Sequence, residues 1–208
     1  MENKLRQIKS YGRTVAKALS ENQKNDLINY VNSFDFDTFK NNYKKFILEI
    51  GFGNGENILK LATENEEYGI IGVDPFKNSC IKVIRDIQKL FIKNMCIFND
   101  DVKNLDRLFG EKFFEKAYIL FPDPWPKKKH NKRRLINEDF FKWLVTKVFG
   151  EIIFATDNLD YFESVLEFAS KYVNVKRIED GDQLIANTKY KQKAIAEGRK
   201  CNYAVFCV

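Results

Sequence analysis

Histidine is nearly absent from this chain of 208 residues: His130 is the only one. One imidazole cannot build a His/Cys metal cluster, and a Ser-His-Asp or Cys-His mechanism would have to run through a residue set among cations. Cysteine is sparse too. Cys80, Cys96, Cys201 and Cys207 make no CxxC pair, so a zinc site and a secreted disulfide scaffold both drop out. No apolar stretch approaches the ~20 residues of a membrane span, and no N-terminal apolar segment resembles a secretion signal. These absences lead us to expect a reduced, cytoplasmic protein with no metal and no membrane partner. Proline numbers only 4, yet Pro122, Pro124 and Pro126 crowd into a single loop.

What the chain does have is enough for a core. Hydrophobic residues make up 44% and aromatics 14%, well outside the range of disordered segments. Lys+Arg number 35 against 29 Asp+Glu, a net charge of +6. The run Lys127, Lys128, Lys129, His130, Asn131, Lys132, Arg133, Arg134 holds six of those cations and no acid, so it alone accounts for the excess. A polyanionic partner is expected there. Residues 1–24 carry Lys4, Arg6, Lys9, Arg13, Lys17 and Lys24 against two acids, with weak periodicity that suggests an arm or a loose helix. We therefore divide the chain into a basic N-terminal extension, 1–40, and a single domain, 41–208.

Short apolar runs alternate with amphipathic stretches from Phe46 onward. The pattern predicts strands at 46–50, 68–74, 95–98, 117–121 and 152–155, then terminal strands at 173–178 and 203–208. Helices are expected from 56, over 79–91, over 137–148 with Gly150 closing it, and over 159–169. Such alternation implies βαβ units and an α/β fold with a doubly wound, mostly parallel sheet.

Ligands of open α/β sheets bind beyond the carboxyl ends of the strands, and the informative residues lie there. After the first strand comes Glu49-Ile-Gly51-Phe-Gly53-Asn-Gly55-Glu56. Glycines permit a tight turn and let a ligand approach the backbone. Asp74, after the second strand, suits ribose hydroxyls, which demand an acceptor. Asp100 and Asp101 follow the third strand, where an acid can accept from an adenine amino group. A dinucleotide fingerprint reads GxGxxG, but here Glu56 stands where its third glycine would be. The spacing instead resembles the first motif of Rossmann-type S-adenosylmethionine-dependent methyltransferases, which implies that cofactor.

The fourth strand leads into Phe121-Pro-Asp-Pro-Trp-Pro126 and then the cations. Asp123 can accept the N1–H and N2–H of a guanine, while Trp125 can pack beside a base or wall the pocket. A rigid acidic-aromatic loop followed by six cations argues for a nucleic-acid base delivered to a cofactor.

The stretch from Phe121 through Leu135 resembles the most distinctive signature of the bacterial tRNA (guanine-N7-)-methyltransferases. Glu49 to Glu56, Gly72-Val-Asp74, Asn99-Asp100 and Ala155-Thr156-Asp157-Asn158 agree in order, and Ser10-Tyr-Gly-Arg13 does so faintly. The resemblance implies a Rossmann-like class I methyltransferase fold, a seven-stranded sheet with an antiparallel strand at the C-terminus, and methylation of a variable-loop guanosine of tRNA at N7. It makes Glu49, Gly51, Gly53, Gly55, Asp74, Asp100 and Asp123 cofactor-site positions. Lys127, Asp157, Thr188, Lys189, Tyr190 and Lys191 become substrate positions, and Asp123 is the residue expected at the reacting centre. Where the family usually has Thr-x-Tyr-Glu, this chain has Lys191, which transfers carboxylate work to Asp123 or Asp157. Two rivals stand beside this reading: a methyltransferase acting on another acceptor, such as an exocyclic amine of DNA, and a non-catalytic RNA-binding module. Either a monomer or a homodimer is compatible with the sequence.

Overall fold

The central strands are continuous apolar runs because both their faces are covered, as in parallel sheets flanked by helices. β1 (Phe46–Ile50) and β2 (Gly69–Val73) are buried at every position. The computed structural model describes residues 18–208 except 107 and 182; Ser10 to Arg13 and the first five cations named above lie outside the described residues. With β3 (Met95–Phe98), β4 (Phe114–Leu120), β5 (Val148–Thr156), β6 (Asn174–Ile178) and β7 (Asn202–Cys207), these strands form one seven-stranded sheet ordered β3-β2-β1-β4-β5-β7-β6. The first five run parallel; β7 is antiparallel to both β5 and β6. The strand order reverses between β1 and β4, so the ligand crevice belongs at their carboxyl ends.

Strand parity sorts the core into two layers. Leu48, Ala117, Ile119, Ile152, Phe154, Ala204 and Phe206 face one side. There they meet α2 (Phe36–Asn42), α5 (Glu138–Lys147) and α6 (Leu159–Ala169). Ile47, Tyr118, Leu120, Ile153 and Val205 face the other side, against α3 (Glu56–Glu64) and α4 (Lys77–Leu90).

Three elements depart from the sequence reading. Residues 21–33 form a regular helix, α1 (Glu21–Ser33), with a capping box at Ser20 and Gln23. It lies on the free edge of the sheet, where the Ile97 amide donates to the Tyr30 hydroxyl at 3.0 Å. Gly150 does not close α5; it lies inside β5, which starts at Val148. The reason is a bulge in β5, which has one more residue between Val148 and Glu151 than β4 has between their partners Phe114 and Lys116; it brings the Glu115 carbonyl oxygen to 2.5 Å from where a Cβ on residue 150 would sit. Finally, the segment before β7 holds a helix, α7 (Lys189–Ala196).

Candidate active site

A cavity of about 620 Å3 opens at the carboxyl ends of β1 to β4. Its wall includes Gly51 and Gly53 after β1, Asp74 after β2, and Asp100 and Asp101 after β3. Phe121, Asp123 and Trp125 contribute from the loop after β4, and Tyr190 from α7. The four regions singled out in the sequence therefore converge on one space.

Gly51, Gly53 and Gly55 all have left-handed backbone, with φ of 73°, 54° and 87°. A side chain at 55 meets a second obstacle, since its Cβ would stand 2.4 Å from Val83 Cγ2 on α4. The loop is held to β2 by Asp74, whose carboxylate accepts from the Gly53 amide at 3.0 Å and the Phe76 amide at 2.8 Å. Burial raises the Asp74 carboxyl above its ordinary range, and those two amides oppose the rise. After β3 the two acids divide their work. Asp101 accepts from the Lys103 amide and pairs with the Lys103 ammonium at 3.3 Å. Asp100 accepts from the Asn104 side chain at 2.8 Å and the Asp101 amide at 2.7 Å.

Glu49 stands behind the cavity, not on its wall. Position 49 has the parity of Ile47, so the side chain enters the core facing α3. It is 2% exposed and accepts from Asn57 Nδ2 at 3.0 Å. Burial, with the charges of Glu56 and Asp74 nearby, pushes its carboxyl up to about 8 against the opposing Asn57 hydrogen bond. Gly55 also lies outside the residues that line the cavity, as N-cap of α3.

The proline loop is bent as well as stiff. Phe121 and Trp125 have φ of 49° and 44°, a conformation that costs a non-glycine residue about 1–2 kcal/mol and persists only under outside constraint. Arg134 supplies much of that constraint. Its guanidinium donates to the Pro124 carbonyl at 2.9 Å, to Ser164 Oγ at 3.3 Å and to Asp160 at 2.5 Å, and lies over the Tyr161 ring. Within the run expected to meet a polyanion, Arg134 is buried at the edge of the cavity and engaged by the protein itself. Arg133 covers the Trp125 indole at 4.9 Å, with His130 edge-on to the same ring at 5.9 Å. Burial and the charges of Arg133, Lys127 and Lys132 lower the His130 imidazole. Lys127, Lys128, Lys129 and Lys132 remain exposed.

Of the substrate-side residues, Tyr190 reaches furthest in. Its ring stands 3.5 Å from the point where a Cβ on Gly53 would lie. Burial raises its hydroxyl, followed by the charges of Asp123, Asp74 and Glu56. Thr188 caps α7 by accepting from the Lys191 amide at 3.2 Å, and Lys191 is buried while Lys189 is exposed. Asp157, after β5, forms an ion pair with Arg199 at 2.5 Å. None of Asp157, Lys127, Thr188, Lys189 or Lys191 lines the cavity. Sequence reasoning missed Asn57 and Arg134, although an asparagine on the apolar face of α3 was a visible irregularity. Among the described residues there is no cluster of three or more potential metal ligands, and no helix is long and apolar enough to cross a membrane.

Solved structures share this architecture. One described as an antibiotic related methyltransferase superposes with a TM-score of 0.58 at 19% identity, over 94% of this chain and 96% of that one. A 16S rRNA (adenine-N1)-methyltransferase from Catenulisporales acidiphilia, solved with its cosubstrate SAM, gives 0.57 at 14% identity, over 85% and 92%. Sheet order, crevice position and glycine loop define a Rossmann-like class I methyltransferase, and a family model described as "Putative methyltransferase" matches residues 43–204. The tRNA (guanine-N(7)-)-methyltransferase of Wolbachia pipientis wMel is 36% identical over 165 residues, 78% of this chain and 75% of that protein. Its counterpart in Neorickettsia sennetsu is 35% identical over 175 residues, 81% and 80%. The chain belongs to the tRNA (guanine-N7-)-methyltransferase family.

Proposed function

We propose that this protein transfers the methyl group of S-adenosylmethionine to N7 of a guanosine in tRNA, in the variable loop, forming 7-methylguanosine. The observation that carries the proposal is the loop after β4. Asp123 stands on the cavity wall, and the exposed lysines 127 to 129 follow immediately on the chain. In this reading the base acceptor on the wall and a phosphate grip just outside it serve one target nucleotide.

The cavity fits the cofactor by size and donor set. Its 620 Å3 falls within the roughly 300–1,000 Å3 of small-molecule sites. The glycine loop admits close backbone approach, and the Asp74 and Asp100 carboxylates provide acceptors for ribose hydroxyls and an adenine amine. S-adenosylmethionine supplies a methyl group already activated on sulfur. Guanine N7 carries an in-plane lone pair and no proton, so the acceptor needs no general base. The protein's task reduces to alignment and exclusion of water. In this reading Asp123 orients guanine from the wall of the cavity, and Asp157 assists from β5 with its carboxylate fixed by Arg199. Lys127 and the exposed cations after it hold phosphates, and the segment of Thr188, Lys189, Tyr190 and Lys191 flanks the base. Glu49 contributes from behind the wall. The basic extension 1–40 adds to RNA affinity, and the enzyme works on cytoplasmic tRNA.

The test is incubation of the purified protein with unmodified tRNA transcript and methyl-labelled S-adenosylmethionine, followed by nucleoside analysis by mass spectrometry. The expected product is labelled 7-methylguanosine. Label in another nucleoside would move the acceptor. No label from a protein that binds both ligands would leave a binding module.

A further inference from the structure

Asn57 lies in the first turn of α3 among Ile58, Leu61 and Ala62, on the face packed against the sheet, and is 1% exposed. An amide in such a place costs stability unless both its ends are satisfied. Both are, and they join distant parts of the chain. Nδ2 donates to Glu49 Oε2 on β1 at 3.0 Å. Oδ1 accepts from the Ala186 amide, 129 residues away, at 2.9 Å. The Ala186 N–H can only donate, so Oδ1 must face it and Nδ2–H must face Glu49.

Ala186 begins the segment that carries Tyr190. Its carbonyl accepts from the Thr188 amide at 2.9 Å, Thr188 caps α7, and two residues on the Tyr190 ring lies beside Gly53. The segment is thus tied to the cofactor half of the site by the Asn57 hydrogen bond upstream, and downstream it sets the partly exposed Tyr190 ring beside the glycine loop. We infer that Asn57 is a positioning residue, which with Glu49 as its buried anchor fixes residues 186–190 against the glycine loop. The inference rests on the reading above in placing that segment beside the target base. It goes further in making the geometry of the substrate side depend on a side chain that touches neither ligand.

The experiment combines amide hydrogen exchange with kinetics on the full chain. In Asn57→Ala the Ala186 amide should exchange about tenfold faster, the equivalent of one lost hydrogen bond, while amides of β1 and β4 keep their rates. The KM for tRNA should rise by about fivefold or more, with kcat changed less. Adding Tyr190→Ala should worsen KM by clearly less than the product of the single effects, because both act on one element. Asn57→Ser serves if the alanine variant does not fold, since its hydroxyl is too short to span Glu49 and Ala186. Unchanged exchange at Ala186, or fully multiplicative KM effects, would overturn the inference. Faster exchange in a protein whose parent methylates no tRNA would sink the functional reading alone.

Discussion

Replacing Glu49 by glutamine changes one atom and removes one proton equilibrium, and the consequence can be worked out in advance. Glutamine keeps an oxygen for the Asn57 amide but cannot ionise. In the folded protein, burial first, then the charges of Glu56 and Asp74, push the Glu49 carboxyl from 4.5 up to about 8. The unfolded chain releases this proton near the ordinary value. Between those two pH values the folded state holds a proton that the unfolded state has lost, so stability falls as pH rises. The slope is about 1.4 kcal/mol per pH unit, and the full cost, reached above pH 8, is up to about 5 kcal/mol. Against a typical total of roughly 5–15 kcal/mol, that is a large share. Urea unfolding of parent and Glu49→Gln from about pH 5 to about pH 9 isolates it, because titrating groups that do not interact with Glu49 cancel in the difference. The glutamine variant should gain on the parent steadily and level off near pH 8. Parallel profiles, or a parent that gains as pH rises, would show a carboxylate ionised in place and refute the assignment of burial as its dominant influence.

Other outcomes follow from the same geometry. Asp123→Asn should lower turnover by at least about tenfold while the dissociation constant for the cofactor, read by calorimetry, moves much less; unchanged turnover removes its role. Reversing the charge of Lys127, Lys128 and Lys129 should weaken tRNA binding and reduce the slope of log K against log salt by about 2, whereas an unaltered slope would relocate the RNA surface. Arg134→Ala should destabilise by about 2 kcal/mol in thermal or urea unfolding, through the lost Pro124 and Asp160 bonds and the Tyr161 contact. Arg134→Lys should restore little of it, while Lys132→Ala should stay within about 0.5 kcal/mol of the parent.

The parts of the fold legible in the sequence are those whose burial is two-sided. β1, β2 and β5 announce themselves as Val/Ile/Leu/Phe runs because both faces are covered. Asp74 after β2, Asp100 after β3 and Asp123 after β4 fall at the crevice because parallel strands all point there, while Asp157 after β5 lies outside its lining. α7 is hidden because only Lys191 and Ala194 of its residues are buried, too few for a helical stripe. α1 buries no residue fully, and its docking depends on the partly buried Leu27 and Tyr30. Gly150 resembles a helix stop until the bulge in β5 is known. Arg134 could not be separated from Lys132 by composition, since what distinguishes them is the carbonyl of Pro124 and a tyrosine from another helix. Glu49 was legible as an acid before the glycines but not as a core residue. That follows only from counting along β1 from Ile47 and knowing which helix covers that face.

The Tyr30 hydroxyl that accepts from Ile97 has a consequence for how copies of this protein can meet. β3 is an outermost strand, and an unpaired outer strand invites another chain to add to it. α1 occupies that position and uses one of the amide donors an incoming strand would need. At the opposite border β6 presents exposed Lys176 and Arg177, the latter engaged with Glu163. Both borders thus resist sheet-to-sheet association, one by a roof and one by charge. Shortening the chain to begin after Ser33 would take away the roof, and the expected result is aggregation through β3 during folding rather than a smaller, well-behaved enzyme.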